Sequence, residues 1–234
     1  MSNVSIQNPN TRKTWEEEFA ETGFWENNQG RRQTKLFAEF FHKHIKLPFE
    51  EAFSVLDVGC AIGDALGVWH NKYPHAKLFG CDISQRAVER ARKEFGDIAT
   101  FEQKSFSEID AQFDAIYCSN VMEHFEDHVA IAEVLLRHCR ILYIMTPFAE
   151  LNNGRLLSSA PVALHVASFF DDTFDMLAGK GVAAVETKII RCPLAWGLSF
   201  KSEALWHVRY LFGWIASPSP PRRQIIYTIT RRQP

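Results

Sequence analysis

The hydrophobic pattern divides the chain into short apolar runs separated by stretches with helical spacing. Short runs bounded by turn residues favour buried strands, whereas apolar positions three and four residues apart favour amphipathic helices. The pattern predicts seven strands, at about 53–58, 76–81, 98–104, 113–120, 140–145, 182–191 and 225–230. Because helices alternate with most of these strands, we expect right-handed crossovers and a largely parallel α/β sheet.

Two helices are predicted ahead of the first strand. Thr14 and Glu17 fit a capping box that would begin the first helix, and Gly23 would end it. The second helix is predicted from about Arg31 to Ile45. Residues 1–50 are therefore interpreted as an N-terminal helical segment, and residues 51–234 as the main domain with a helical insertion at about 193–221.

The candidate ligand site lies in the first strand–helix–strand unit, residues 53–82. A turn from Gly59 to Gly63 follows the first strand, and its glycines allow unusual dihedral angles and close approach of a ligand to the main chain. Asp82 ends the second strand. Because ligands of open α/β sheets bind outside the carboxyl ends of the strands, Asp82 is placed to accept hydrogen bonds from a ribose diol.

A dinucleotide is one ligand that such a unit can bind, but this turn does not fit it. The dinucleotide pattern G-x-G-x-x-G would place its glycines at Gly59, Ala61 and Asp64, so that two of the three are missing. The carboxylate of Asp64 would also lie where a pyrophosphate belongs. The turn therefore disfavours NAD.

The segment Asp57-Val-Gly-Cys-Ala-Ile-Gly63 instead resembles motif I of the class I S-adenosylmethionine (SAM)-dependent methyltransferases, with Ala61 at the usual middle glycine. The sequence FDAIYCSNVMEHF, at 113–125, is similar to the region that follows the fourth strand in the same family. The resemblance implies a Rossmann-like, doubly wound, seven-stranded sheet. In that sheet the last strand is antiparallel, between the fifth and sixth, and the N-terminal helices form a lid.

The resemblance also implies that the cofactor is SAM and indicates which residues bind it. The expected cofactor contacts are Asp57, Gly59, Cys60, Ala61, Gly63, Asp82, Ile83, Ser105, Phe106, Asn120 and Val121. Candidate substrate contacts are Trp25, Arg31 and Gln33 in the lid and Glu123 after the fourth strand. A solvated surface helix is an equally good interpretation of the lid residues.

Methyl transfer to a hydroxyl group needs a base, which is most often histidine. His165, in the long loop after the fifth strand, is the first candidate, and His124, after the fourth strand, is the second. The alternative for each is a structural role. The sequence shows no metal-ligand cluster, and methyl transfer does not require a metal.

Composition and charge limit the classes of binding partner and the cellular compartment that we expect. The net charge of −2 over 234 residues argues against a nucleic-acid partner. The five cysteines form no C-x-x-C pair, and no apolar run reaches transmembrane length, so we expect a cytoplasmic protein without stable membrane insertion. The aromatic segment 196–215 could be a pocket wall, a homodimer interface or a peripheral membrane helix, of which the membrane helix fits least well.

These observations favour methyl transfer to an oxygen of a small-molecule, glycan or nucleotide-sugar acceptor. The N-terminal sequence FWENNQGRRQT looks similar to methyltransferases of bacterial surface-polysaccharide pathways, so polysaccharide biosynthesis is the expected context. Two alternatives remain open at this stage. One is N-methylation of a small metabolite, and the other is a non-catalytic SAM-binding partner subunit.

Overall fold

The computed structural model describes residues 10–21, 29–149, 151–152, 155–156, 164–191 and 223–232. Trp25, the predicted helical insertion at about 193–221 and the aromatic segment 196–215 lie outside these residues. Within the described residues, every helix falls short of the length and apolar character needed to cross a membrane.

Strands and helices alternate along the chain as the hydrophobic pattern predicts. In the first half, the elements are α1 (Arg12–Glu21), α2 (Gln29–His44), β1 (Ser54–Val58), α3 (Asp64–Lys72), β2 (Lys77–Asp82), α4 (Gln85–Phe95) and β3 (Ala99–Gln103). They are followed by β4 (Phe113–Ser119), α5 (His128–Leu136), β5 (Cys139–Pro147), β6 (Leu151–Asn152), β7 (Arg155–Leu156), α6 (Asp175–Gly179), β8 (Ala183–Arg191) and β9 (Arg223–Arg231).

The main sheet has the strand order β3-β2-β1-β4-β5-β9-β8, and β6 and β7 form a separate hairpin. The five strands β1 to β5 pair in parallel, whereas β9 is antiparallel to both β5 and β8. This topology confirms the predicted doubly wound sheet with an antiparallel last strand. The strand order reverses between β1 and β4, and ligands of such sheets bind outside the carboxyl ends of the strands at this point.

A hydrophobic core lies on each face of the sheet. Tyr117 of β4 and Tyr143 of β5 are paired in register and face α2 and α3, where they surround the buried ring of Phe41 at centroid distances of 4.9 and 5.1 Å. Leu142 points to the opposite face and packs in the cluster that includes residues of α5 and α6. Both faces are thus covered, which is the usual condition for a parallel sheet.

The first helix begins at a residue other than the one predicted. Thr11 caps α1, since its hydroxyl accepts the backbone N–H of Thr14 at 3.2 Å, so the predicted capping box at Thr14 is wrong. Helix α6 begins at Asp175, after a turn in which the hydroxyl of Thr173 accepts the N–H of Phe170 at 2.8 Å. The other predicted helix and strand bounds agree with the structure to within about three residues.

A buried ion pair fastens α2 to the start of α3. The side chain of Asp64, the first residue of α3, is fully buried. Arg31 donates to its carboxylate from Nε and Nη2, each at 3.0 Å, and the Nζ of Lys35 lies 3.4 Å away. The positive end of the α3 dipole adds to this stabilisation. Asp64, whose carboxylate is incompatible with a pyrophosphate at this turn, thus holds α2 of the N-terminal segment against α3.

We expect Arg31→Met to lower the free energy of unfolding by about 3 kcal/mol, because it removes the bidentate partner of a buried carboxylate. Urea denaturation measures this change, and Lys43→Met, which removes an exposed cation from the same helix, is the matched control. The double variant Arg31→Met/Asp64→Leu should regain much of the loss. A loss below about 0.5 kcal/mol in the single variant would mean that Lys35 alone suffices.

Candidate active site

The turn after β1 has a backbone that favours glycine. Gly59, Ala61 and Gly63 have φ values of 73°, 49° and 86°, all in the left-handed region. The N–H groups of Gly59 and Cys60 both donate to the carbonyl of Cys81, at 2.8 and 3.0 Å, so the turn is bonded to the end of β2. Ala61 adopts the left-handed conformation although it is not glycine, which shows that neighbouring contacts hold the turn in place.

Asp82 provides a side-chain contact of this kind. One carboxylate oxygen accepts the N–H of Ala61 at 3.0 Å and the other accepts the N–H of Ser84 at 2.9 Å. Ser84 in turn caps α4, since its hydroxyl accepts the N–H of Ala87. The carboxylate of Asp82 therefore joins the turn after β1 to the start of α4.

A second buried carboxylate, that of Asp57, lies at the end of β1. Burial, with the charge of Asp82 as a lesser cause, raises the pKa of Asp57 to about 8. Burial likewise raises the pKa of Asp82 to about 6, although its backbone hydrogen bonds oppose the shift. A buried, electron-rich site of this kind suits a ligand that brings hydroxyl groups and a positive charge.

The loop after β4 approaches the same turn. Asn120 has a φ of 53° and donates its backbone N–H to the carbonyl of Met145 at 2.7 Å. The next residue, Val121, is so close to Gly59 that a Cβ added to the glycine would lie 2.4 Å from its Cγ2. Gly59 is therefore required both by its dihedral angle and by this contact.

The residues after β3 complete this edge of the sheet. Ser105 begins a single 3-10 turn and donates its hydroxyl to Glu108 at 2.8 Å. The ring of Phe106 contacts that of Phe125 edge to face, at 5.5 Å between centroids. All of the predicted cofactor residues thus lie at the carboxyl ends of β1 to β4, which we call the carboxyl edge.

Three side chains converge beside this edge: Glu123 and His124 after β4, and His165 after β5. One ligand atom from each lies within 4.8 Å of the others, and we call the three residues the Glu–His cluster. The Nε2 of His165 is 3.9 Å from Oε1 of Glu123, and the two histidine rings lie 5.0 Å apart. The sequence showed no metal-ligand cluster, because His165 is forty residues or so away in the chain and comes near only in the fold.

Backbone and side-chain hydrogen bonds hold the Glu–His cluster in place. The carbonyl of Glu123 accepts the N–H groups of Val166 and Ala167, at 2.8 and 3.1 Å, and its carboxylate accepts the hydroxyl of Thr146 at 3.0 Å. The Nδ1 of His124 bonds to the carbonyl of Leu164 at 3.0 Å, and burial lowers the pKa of His124 to about 4. The segment after β5 is thus fixed against the loop after β4.

The N-terminal helix α1 contacts both parts of the site. The carboxylate of Glu16 accepts the hydroxyl of Ser84 at 3.0 Å and the backbone N–H of Gln85 at 2.6 Å, at the start of α4. The ring of Trp15, one residue earlier, meets the ring of His124 edge to face at 4.9 Å. Glu16 was not predicted from the sequence, because it acts on residues almost seventy positions away.

The predicted substrate residues are not all brought together. Glu123 belongs to the Glu–His cluster, and Trp25 lies outside the described residues. The guanidinium of Arg31 bonds to Asp64 and to Glu94, at the start of α3 and in α4. Gln33 is half-buried on α2. The structure therefore assigns Arg31 contacts within the fold, beside the glycine turn rather than at the cluster.

Comparison with known proteins agrees with this geometry. Residues 56–141, which run from β1 into β5, match the family described as "Methyltransferase domain". This match covers little more than a third of the chain, and over that range the chain is similar to methyltransferase domains. The match covers the glycine turn, Asp82 and the Glu123–His124 pair, whereas His165 and the N-terminal helices lie outside it.

Similar sequences include two trans-aconitate 2-methyltransferases. That of Azoarcus sp. (strain BH72) is 27% identical over 107 residues, which are 44% of this chain and 42% of that protein. That of Variovorax paradoxus (strain S110) is 31% identical over 90 residues, 36% and 33% of the two chains. The chain therefore spans less than half the length of these relatives.

Solved structures support the fold over nearly the whole chain. The plantazolicin methyltransferase BpumL, in complex with SAH, is 21% identical with a TM-score of 0.61, covering 94% of this chain and 95% of that one. The magnesium protoporphyrin IX methyltransferase of Synechocystis PCC 6803, with bound SAM, is 12% identical with a TM-score of 0.59, covering 98% and 100%. At these identities the likeness shows the fold alone.

We expect Gly59→Ala to lower the free energy of unfolding by about 3 kcal/mol, because the new methyl group meets Val121 and the left-handed φ disfavours alanine. Urea denaturation measures the loss. Adding Val121→Ala should restore the steric part and leave the dihedral part of about 1 kcal/mol. Gly179→Ala, where a Cβ would have no neighbour within 4 Å, is the control and should change little.

The raised pKa of Asp57 predicts how the free energy of unfolding depends on pH. The native state binds a proton that the unfolded state releases between about pH 4 and pH 8, so this group contributes stability at low pH that is lost as pH rises through that window. Relative to wild type, Asp57→Asn should therefore gain about 1 kcal/mol of unfolding free energy per pH unit between pH 5 and pH 7. Parallel curves for wild type and variant would contradict the shifted pKa.

Proposed function

We propose that this chain is a SAM-dependent methyltransferase that transfers a methyl group to an oxygen atom of a small-molecule acceptor. The observation that carries the proposal is the arrangement of the carboxyl edge. The glycine turn with its two buried carboxylates, Asp57 and Asp82, lies next to the Glu–His cluster, so a cofactor site and an acceptor site adjoin. The family match and the SAM and SAH that two similar structures carry support the cofactor.

The cofactor residues fit SAM in charge and shape. Each oxygen of Asp82 uses one lone pair on a backbone N–H and keeps capacity to accept a ribose hydroxyl. Asp57 would pair with the ligand's ammonium group, which favours the charged carboxylate. Gly59 and Gly63 allow close backbone contact, and the half-buried Phe106 would contact the adenine ring. When bound, SAM supplies an electrophilic methyl group on a positively charged sulfur.

The acceptor would lie beside the Glu–His cluster. Without a bound ion, His165 remains the first candidate for the base, because its Nε2 faces the carboxylate of Glu123. His124 is the second candidate, since its Nδ1 is held by the carbonyl of Leu164 and its ring is covered by Trp15. The contribution of such a group is chiefly to hold the nucleophilic oxygen in line with the methyl group and to take up a proton where there is one.

The relatives favour an oxygen nucleophile, since trans-aconitate, which their name gives, offers carboxylate oxygens. The names of the relatives given above mention no glycan substrate, so we do not extend the proposal to polysaccharides. N-methylation remains the alternative reaction. The Glu–His cluster argues for a catalytic role over that of a binding-only partner subunit.

We also propose that residues 1–50 act as a lid. The support comes from α1, which contacts the start of α4 through Glu16 and the ring of His124 through Trp15. A helix that touches both the cofactor side and the acceptor side can exclude water from the space between them. Trp25 and Gln33 remain candidate acceptor contacts in this lid.

Calorimetric titration with SAH tests the proposal. We expect wild type to bind SAH and Asp82→Ala to bind at least tenfold more weakly, because the loss of a buried charged acceptor costs ~1.5–3 kcal/mol. The exposed Asp97→Ala is the matched control and should bind as wild type does. Wild type that binds NAD, or that binds no SAH, would overturn the proposal.

A further inference from the structure

The Glu–His cluster has more ligands than an acid–base pair requires. A histidine base needs one imidazole and one group to orient it, which His165 and Glu123 already provide. The second imidazole, that of His124, converges on the same space, with one ligand atom of each residue within 4.8 Å of the others. Two imidazoles and one carboxylate are the donor set of catalytic zinc sites and of the non-haem iron facial triad.

The two ligands after β4 are oriented from outside the cluster. Oε2 of Glu123 accepts the hydroxyl of the fully buried Thr146 at 3.0 Å, and Oε1 is the oxygen nearest His165. Nδ1 of His124 bonds to the carbonyl of Leu164 at 3.0 Å, so it carries the hydrogen and leaves the lone pair on Nε2. Such outer hydrogen bonds fix tautomer and ring orientation in metal sites.

The third ligand has room to adjust. Ligand atoms around one ion at about 2.1 Å lie roughly 3.0–3.4 Å apart, whereas Nε2 of His165 and Oε1 of Glu123 are 3.9 Å apart. The side chain of His165 is 15% exposed and that of Glu123 1%, so a rotation of His165 is the change that would close the site. The backbone on its carboxyl-terminal side is already fixed, since Val166 and Ala167 donate to the carbonyl of Glu123.

We propose that Glu123, His124 and His165 bind a divalent first-row transition metal ion that coordinates the oxygen of the acceptor. This inference rests on the proposed function only for the identity of that oxygen; the metal site itself is independent of it. Nitrogen donors favour zinc, iron, cobalt or nickel over magnesium or calcium. Three protein ligands leave positions open for a carboxylate or hydroxyl group of the acceptor.

A bound ion changes the role of His165. A coordinated Nε2 cannot take a proton, so His165 becomes a ligand, and the ion lowers the pKa of a hydroxyl acceptor, whose proton passes to water. The acceptor oxygen then forms its bond to the methyl carbon while the carbon–sulfur bond breaks and its electron pair remains on sulfur. A carboxylate acceptor needs no proton removal and would be positioned by the ion alone.

The test is titration of the chelator-treated 234-residue chain with Co²⁺ alone, followed by calorimetry and visible absorption. We expect one ion per chain in wild type and at least 100-fold weaker binding in Glu123→Gln and in His165→Gln. Thr146→Val, which removes only the outer hydrogen bond to Glu123, should weaken binding about 10–100-fold. His138→Gln, which removes a histidine outside the cluster, is the matched control and should bind as wild type does.

The outcomes separate the two proposals. Absence of Co²⁺ binding in wild type, or binding that Glu123→Gln and His165→Gln leave unchanged, would overturn the metal site. SAH binding that persists in such a protein would leave the methyltransferase proposal standing, with His165 as base. Loss of Co²⁺ binding in both cluster variants but not in His138→Gln supports the metal site whether or not SAH binds.

Discussion

The carboxylate of Asp82 is the interaction on which the carboxyl edge depends. It accepts one N–H from the turn after β1 and one from the start of α4. It thereby adds a polar link between two elements whose apolar residues Ala61, Ile62 and Ala87 also lie in one buried cluster. The left-handed turn would cost free energy at Ala61 without such support. Burial disfavours the charged carboxylate and therefore raises its pKa. Keeping this site charged and preformed thus lowers the stability of the fold.

Glu123 has the corresponding role on the acceptor side. Its backbone carbonyl holds the segment after β5, and its side chain reaches Thr146 and faces His165, so a single residue joins the ends of β4 and β5 to the loop that follows. Helix α1 then connects the two halves of the site through consecutive residues, Trp15 on the cluster and Glu16 on α4. Cofactor and acceptor sides are therefore coupled by polar and aromatic contacts that α1 makes with residues at the carboxyl edge.

Most of the sheet could be predicted because its signals are local. The apolar runs and the glycine turn depend on neighbouring residues, and the structure has both of them where the pattern placed them. The family resemblance added the position of the last strand.

The rest depends on contacts between distant residues. The pairing of Arg31 with Asp64, the cap that Glu16 provides and the approach of His165 to Glu123 join positions between 33 and 69 residues apart. The side-chain types that make these contacts occur throughout the surface, so the sequence alone did not distinguish them. The predicted cap of α1 was wrong for a local reason. Thr11 and Thr14 are three residues apart, and either threonine could have begun the helix.

The position of β9 has a consequence for how the chain folds during synthesis. β8 is made before β9 but reaches the rest of the sheet only through it, since β9 lies between β5 and β8. Until β9 emerges, β5 presents an unpaired edge of buried apolar residues, and β8 has no neighbour in the sheet. The segment of chain between the two strands therefore sets a delay in which aggregation or chaperone capture competes with completion of the core.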